Sequence, residues 1–140
     1  GCWERYASGA GLARMARDAV AARRAARVLD LAGGDPAAVR GEMVQQAASE
    51  GDPDALAIVD EFARWVAIGL ANLTNAVDPS VFVLGGGLAT GEPLYLDPIR
   101  RWFRELLYQP DLRPLPDVRF AHWGEHAGAV GAALLAAGVR

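Results

Sequence analysis

Two short stretches carry the side chains and backbone that could do chemistry. The first is GCWERYASG at the start, with the lone thiol Cys2 two positions before the carboxylate of Glu4. A single cysteine is most often a small buried apolar residue, and otherwise a metal ligand. Glu4 reads as a first-turn carboxylate favoured by the helix dipole, or as a carboxylate gripping the hydroxyls of a sugar through charge-assisted hydrogen bonds. The second stretch is SVFVLGGG, an apolar run closed by Gly85, Gly86 and Gly87. Glycines at the carboxyl end of a parallel strand let a backbone approach a nucleotide closely, and equally make a tight strand exit with no ligand. The triplet is not a dinucleotide fingerprint: counted from Gly85, the final glycine would fall at 90, where Thr90 stands.

Two further features are weaker. HWGEH, from His122 to His126, matches a zinc-protease spelling. That chemistry needs both imidazoles on one face of one helix, whereas His122 ends an alternating, strand-like segment and Gly124 interrupts the span. The reading is therefore a strand end, a turn and a helix start. Asn72 and Asn75, on an otherwise apolar helical stretch, would cap neighbouring loops or face a nucleotide.

Composition excludes more than it proposes. All 14 basic residues are arginine, so the amine of a P-loop or a Schiff base is missing. Serine occurs at 8, 49 and 80, never in a G-x-S-x-G elbow. A net charge of −3 gives no footprint for nucleic acid. One cysteine excludes internal disulfides and all-thiolate zinc sites built from this chain alone. No apolar run reaches the ~20 residues of a membrane helix, and no signal peptide is visible, so the chain reads as cytoplasmic.

The elements that must position these residues follow from periodicity. The 140 residues make one domain's worth of chain. From Trp3 to about Leu31 the pattern predicts a long helix bent near Ser8-Gly9, with Leu12, Met15, Ala19, Arg23 and Ala26 on one stripe. Gly33-Gly34-Asp35-Pro36 ends it. Val39, Met43 and Ala47 mark a short helix to about Ser49. Asp52-Pro53 starts the next as cap and first residue. Its apolar residues, Leu56, Ile58, Val59, Phe62, Trp65, Val66, Ile68, Leu70 and Leu73, circle most of the circumference, so it should be central. SVFVL reads as a buried strand. Asp97-Pro98 opens a helix with Ile99, Trp102, Phe103 and Leu106 inward and Arg100, Arg101 and Arg104 outward. DVRFAHW is a second strand, and EHAGAVGAALLAAG a closing helix whose small residues suit close packing on a sheet. The expectation is an α/β chain: residues 1–77 helical, residues 78–140 strand–helix–strand–helix, with parallel strands. Two strands are too few for a stable parallel sheet, so this half is expected to be one edge of a larger one. The absent initiator methionine points the same way.

Taken in order, GCWE, YASG, GDPDAL, GLANLTNAVDP, VFVLGGGLA and HAGAVGAALLA resemble the ROK family of sugar kinases and repressors over essentially the whole chain. The G-C-x-E and V-L-G-G-G pieces are the specific ones. The resemblance implies an actin-like, ribonuclease-H-like ATPase fold of two lobes, of which this chain is the latter part of the C-terminal lobe. It implies an ATP-dependent kinase, with Mg²⁺ on the phosphates, making glucose 6-phosphate from glucose. The alternatives are a kinase for fructose, N-acetylmannosamine or allose, and the effector domain of a sugar-responsive repressor. Cys2 matches the last of three cysteines that, with a histidine, hold a structural Zn²⁺; Glu4 matches the sugar-binding glutamate; Gly85–Gly87 match the adenosine-side glycines. The remaining zinc ligands, the D-x-G-x-T phosphate loop and the catalytic aspartate have no counterpart in these residues. The chain alone is therefore expected neither to transfer phosphate nor to hold zinc. The family also implies a homodimer or homotetramer and no membrane.

Overall fold

The computed structural model describes residues 2–87 and 91–138; Gly1 of the GCWE stretch and residues 88–90 after the glycine triplet lie outside them. The element order is a short 3-10 turn (Trp3–Arg5), α1 (Gly9–Ala21), α2 (Ala26–Leu31), α3 (Gly41–Ser49), α4 (Pro53–Val77), β1 (Val81–Leu84), α5 (Glu92–Leu106), β2 (Asp117–Phe120) and α6 (Ala127–Ala136).

The central helix is α4, which packs against α1, α3 and α5. Its start is built from local chemistry: the Asp52 carboxylate accepts the Ala55 N–H at 2.8 Å and Pro53 occupies the first turn. Ile58, Val59, Phe62, Val66 and Leu70 are buried along it, while Leu56 and Leu73 remain exposed, so its apolar girdle is not closed. Asp78 ends it in a left-handed conformation at φ 44°.

The single bent helix expected from Trp3 to Leu31 is three pieces. Ser8 caps α1 by accepting from the Gly11 N–H at 3.2 Å. A second break follows α1, where Arg23 (φ 58°) and Ala25 (φ 55°) take left-handed conformations. Neither residue favours that region. The Arg24 N–H closes the turn on the Ala19 carbonyl, and the Asp54 carboxylate accepts the Ala25 N–H at 2.8 Å. The break is thus held from α4. It turns Arg23 and Ala26 out of the buried stripe that retains Leu12, Met15 and Ala19.

The helix expected from Asp97-Pro98 begins five residues earlier, at Glu92, and carries Pro98 inside it. A proline there removes one backbone hydrogen bond. Tyr95, fully buried against Phe62, anchors the turns before it. Ile99, Phe103 and Leu107 complete the buried face, and Leu106 is exposed instead of inward. The outward arginines are engaged: Arg101 pairs with Asp60, Arg104 with Asp111, and Arg100 donates to the Val118 carbonyl at 2.7 and 3.0 Å.

β1 and β2 form a parallel two-stranded sheet, with Val81 opposite Asp117 and Leu84 opposite Phe120. One face packs on α5, where Phe82 meets Phe103 edge to face at 5.9 Å. The other is uncovered, so β1 is half-exposed rather than buried and Val83 keeps 59% of its surface. Helix α6 forms, but none of its residues is buried against that sheet.

Candidate functional site

The 3-10 turn at Trp3–Arg5 is fixed to α4 from two sides. The Trp3 indole N–H donates to the Trp65 carbonyl at 2.7 Å, and the indole ring lies directly on Gly69. A Cβ at position 69 would overlap the six-membered ring and stand 2.6 Å from Nε1, so the close approach requires glycine there. On the other side Tyr6 stacks on Trp65 at 4.2 Å, and the Arg14 guanidinium covers the Tyr6 ring at 4.7 Å. Between these aromatic anchors Glu4 is exposed and carries no ion pair or hydrogen bond to a described residue.

Glu4 faces an open hollow of about 780 Å³. Ser8, Gly9 and Ala13 line one wall, and Arg40, Gly41, Glu42 and Gln45 at the start of α3 form another. Gly85, Gly86 and Gly87 bring in the carboxyl end of β1. Gly86 has φ +95°, which turns the chain out of the strand, and a Cβ at any of the three would meet no described residue within 4 Å. The volume falls within the range of small-molecule sites. Thus the glutamate and the glycine triplet, about eighty positions apart in the chain, line one hollow. Nothing in the sequence marks Ser8, Arg40 or Gln45 as wall residues, since none belongs to a spaced motif.

A smaller, largely apolar crevice of about 190 Å³ lies beside Gly85, lined among others by Trp3, Phe62, Tyr95 and Phe120. Burial pushes the Tyr95 hydroxyl up to about 12. The Gln45 amide lies near that hydroxyl, but no partner among the described residues meets it in hydrogen-bond geometry.

The other candidates are not brought to the hollow. Cys2 is an exposed free thiol, not a buried apolar residue: it is extended and precedes a 3-10 turn that itself buries no residue. No group of three or more His, Cys, Asp or Glu able to hold a metal occurs among the described residues. Cys2 on its own does not fit tetrahedral zinc. Asn72 and Asn75 are exposed on α4. His122 follows β2 and His126 ends a separate 3-10 turn, so the two do not share a helix.

The sequence pattern described as ROK family matches residues 1–139. The chain belongs to the ROK family. It is 44% identical over 138 residues to the glucokinase of Streptomyces coelicolor, covering 97% of this chain and 44% of that protein. It is 33% identical over 131 residues to the glucokinase of Halalkalibacterium halodurans, covering 94% of this chain and 39% of that protein. Its fold superposes with a TM-score of 0.89 on the crystal structure of a ROK family glucokinase from Streptomyces griseus in complex with glucose and AMPPNP, at 44% identity over 96% of this chain and 44% of that one. This ROK chain therefore spans less than half the length of the relatives it matches. Its two-stranded sheet and helices are part of the α/β architecture those relatives share.

Proposed function

We propose that this chain is the latter part of the C-terminal lobe of an ATP-dependent glucose kinase, which transfers the terminal phosphoryl group to glucose to give glucose 6-phosphate. The observation that carries the reading is the shared hollow: a partner-free carboxylate, Glu4, and the strand-end glycines Gly85–Gly87 line one cavity. Two ligands brought together in such a cavity react largely through positioning. Glu4 accepts hydrogen bonds from the hydroxyls of glucose and orients the sugar. Gly85–Gly87 offer backbone without side chains, against which adenosine packs. The open Cβ directions at all three fit a flat ligand there.

No residue in this hollow is assigned as the base that deprotonates the sugar; that group and the phosphate loop belong to the rest of such an enzyme. The Cys2 thiolate supplies one ligand to a structural Zn²⁺ only when three others come from outside these residues. Mg²⁺ would supply charge neutralisation for the nucleotide phosphates, and no residue of this chain is assigned to hold it. A cytoplasmic homodimer or homotetramer belongs to the same reading.

The test is a chimera in which this chain replaces the matching part of the Streptomyces griseus glucokinase. Glucose-dependent ADP release is expected, with Glu4→Gln raising the KM for glucose roughly tenfold or more through a lost charged hydrogen bond. A folded chimera that turns over with an unchanged KM in Glu4→Gln would remove the sugar role. A folded chimera without turnover on glucose, fructose, N-acetylmannosamine or allose would remove the kinase reading.

A further inference from the structure

The hollow that holds Glu4 and Gly85–Gly87 has an uneven charge inventory. Its ionisable lining residues are Glu4, Glu42 and Arg40. Two carboxylates face a site proposed to receive a nucleotide, which is itself strongly anionic. Like charges in one cavity oppose binding unless a cation intervenes. Arg40 is the one cation among the lining residues.

Most arginines of the chain are already engaged. Arg27 is held by Glu50, Arg100 by Asp117 and the Val118 carbonyl, Arg101 by Asp60, Arg104 by Asp111 and Arg113 by Asp78. Arg40 has no hydrogen bond or ion pair to any described residue, although the carboxylate of Glu42 stands two positions along. It occupies the residue before α3 in extended conformation, φ −130° and ψ 168°, and its side chain caps nothing. An exposed guanidinium with its donors free, on the wall of an open hollow, is suited to a planar, bidentate grip on a phosphate.

We propose that Arg40, the one cation among the residues lining the hollow, binds the phosphate chain of the nucleotide. The inference rests on the nucleotide reading of the glycine triplet and adds a residue to it. It assigns Arg40 to recognition of phosphate as against adenosine, and so makes it a specificity residue of this lobe.

The test separates the two readings. Adenosine, ADP and inorganic phosphate are titrated calorimetrically into the 140-residue chain and into its Arg40→Gln, Arg40→Ala and Arg40→Lys variants, each checked for native circular dichroism. Because Arg40 is exposed, these substitutions should leave the fold intact. Wild type is expected to bind ADP roughly ten- to a hundredfold more tightly than adenosine, the worth of a charged hydrogen-bonded contact. Arg40→Gln and Arg40→Ala should lose that preference while keeping adenosine affinity, and Arg40→Lys should restore part of it. The preference should also shrink with added salt. If the preference survives in Arg40→Gln, or wild type shows none, the role of Arg40 is wrong and adenosine binding alone still supports the glycine site. If adenosine does not bind any variant, the nucleotide reading falls and this inference with it.

Discussion

The contact between Trp3 and Gly69 makes a prediction with a size. Gly69→Ala would place a methyl group inside the indole ring, with Nε1 only 2.6 Å away, and α4 cannot yield because it is packed on three sides. The indole must leave. Trp3 is 41% exposed, so about three-fifths of it is covered. For a side chain that buries up to ~250 Å², that is ~150 Å², or ~3.8 kcal/mol at ~25 cal/mol/Å². Cover retained in the denatured chain reduces the figure. The lost hydrogen bond to the Trp65 carbonyl adds ~1 kcal/mol, and alanine's better helix propensity returns ~1 kcal/mol. The expected net loss is about 2–4 kcal/mol, read from urea unfolding followed by circular dichroism, with more of the tryptophan emission becoming quenchable by acrylamide. The same substitution in a Trp3→Ala background should instead stabilise by ~1 kcal/mol, since only propensity is left. An equal effect of Gly69→Ala with and without Trp3 would refute the overlap argument.

Tyr95→Phe should be neutral or slightly stabilising at neutral pH, because it removes a buried hydroxyl that has no hydrogen-bond partner. The hydroxyl's folded pKa of about 12 lies above its ordinary value of 10.0, so the unfolded chain loses its proton first as pH rises. Stability should therefore fall between about pH 10 and 12 in wild type, by ~1.4 kcal/mol per unit at most, and less steeply in Tyr95→Phe; parallel alkaline limbs in urea titrations would contradict this. Asp54→Ala should cost about 1–2 kcal/mol and speed amide exchange at Ala25, since it strips the acceptor that holds a left-handed alanine. Unchanged exchange there would show that the Arg24–Ala19 turn suffices alone.

What could be read in the sequence divides by the range of the interaction. The start of α4 was legible because Asp52 and Pro53 act within one turn, and its central place because apolar residues surround it. The break after α1 was not legible: Arg23 and Ala25 carry no turn chemistry, and the acceptor that holds them, Asp54, comes from another helix. Asp97-Pro98 looked like a helix start because proline is at home in a first turn; here the burial of Tyr95 extends the helix backward past it. The exposure of β1 and α6 follows from a sheet of two strands, which a strand's own composition does not reveal. At the site, Glu4 and Gly85–Gly87 could be named from motif order. That they share a cavity needed the Trp3 and Tyr6 anchors on α4. Arg40 had no local signature, since an exposed arginine before a helix is ordinary until its surroundings are known.

The bond from Arg100 to Val118 gives the small sheet a direction of growth. The N–H groups of Asp117 and Ala121 point to β1, where they meet the carbonyls of Ser80 and Leu84. Backbone groups alternate sides along a strand, so those of Val118 and Phe120 turn away from β1 and the Val118 carbonyl belongs to the far edge of β2. Arg100 occupies it with two donors, at the position an incoming strand would need. No side chain among the described residues does the same for the outer edge of β1. The two borders are therefore unlike, one with a carbonyl already occupied and one without, which favours the addition of a further strand alongside β1, on the side away from Val118.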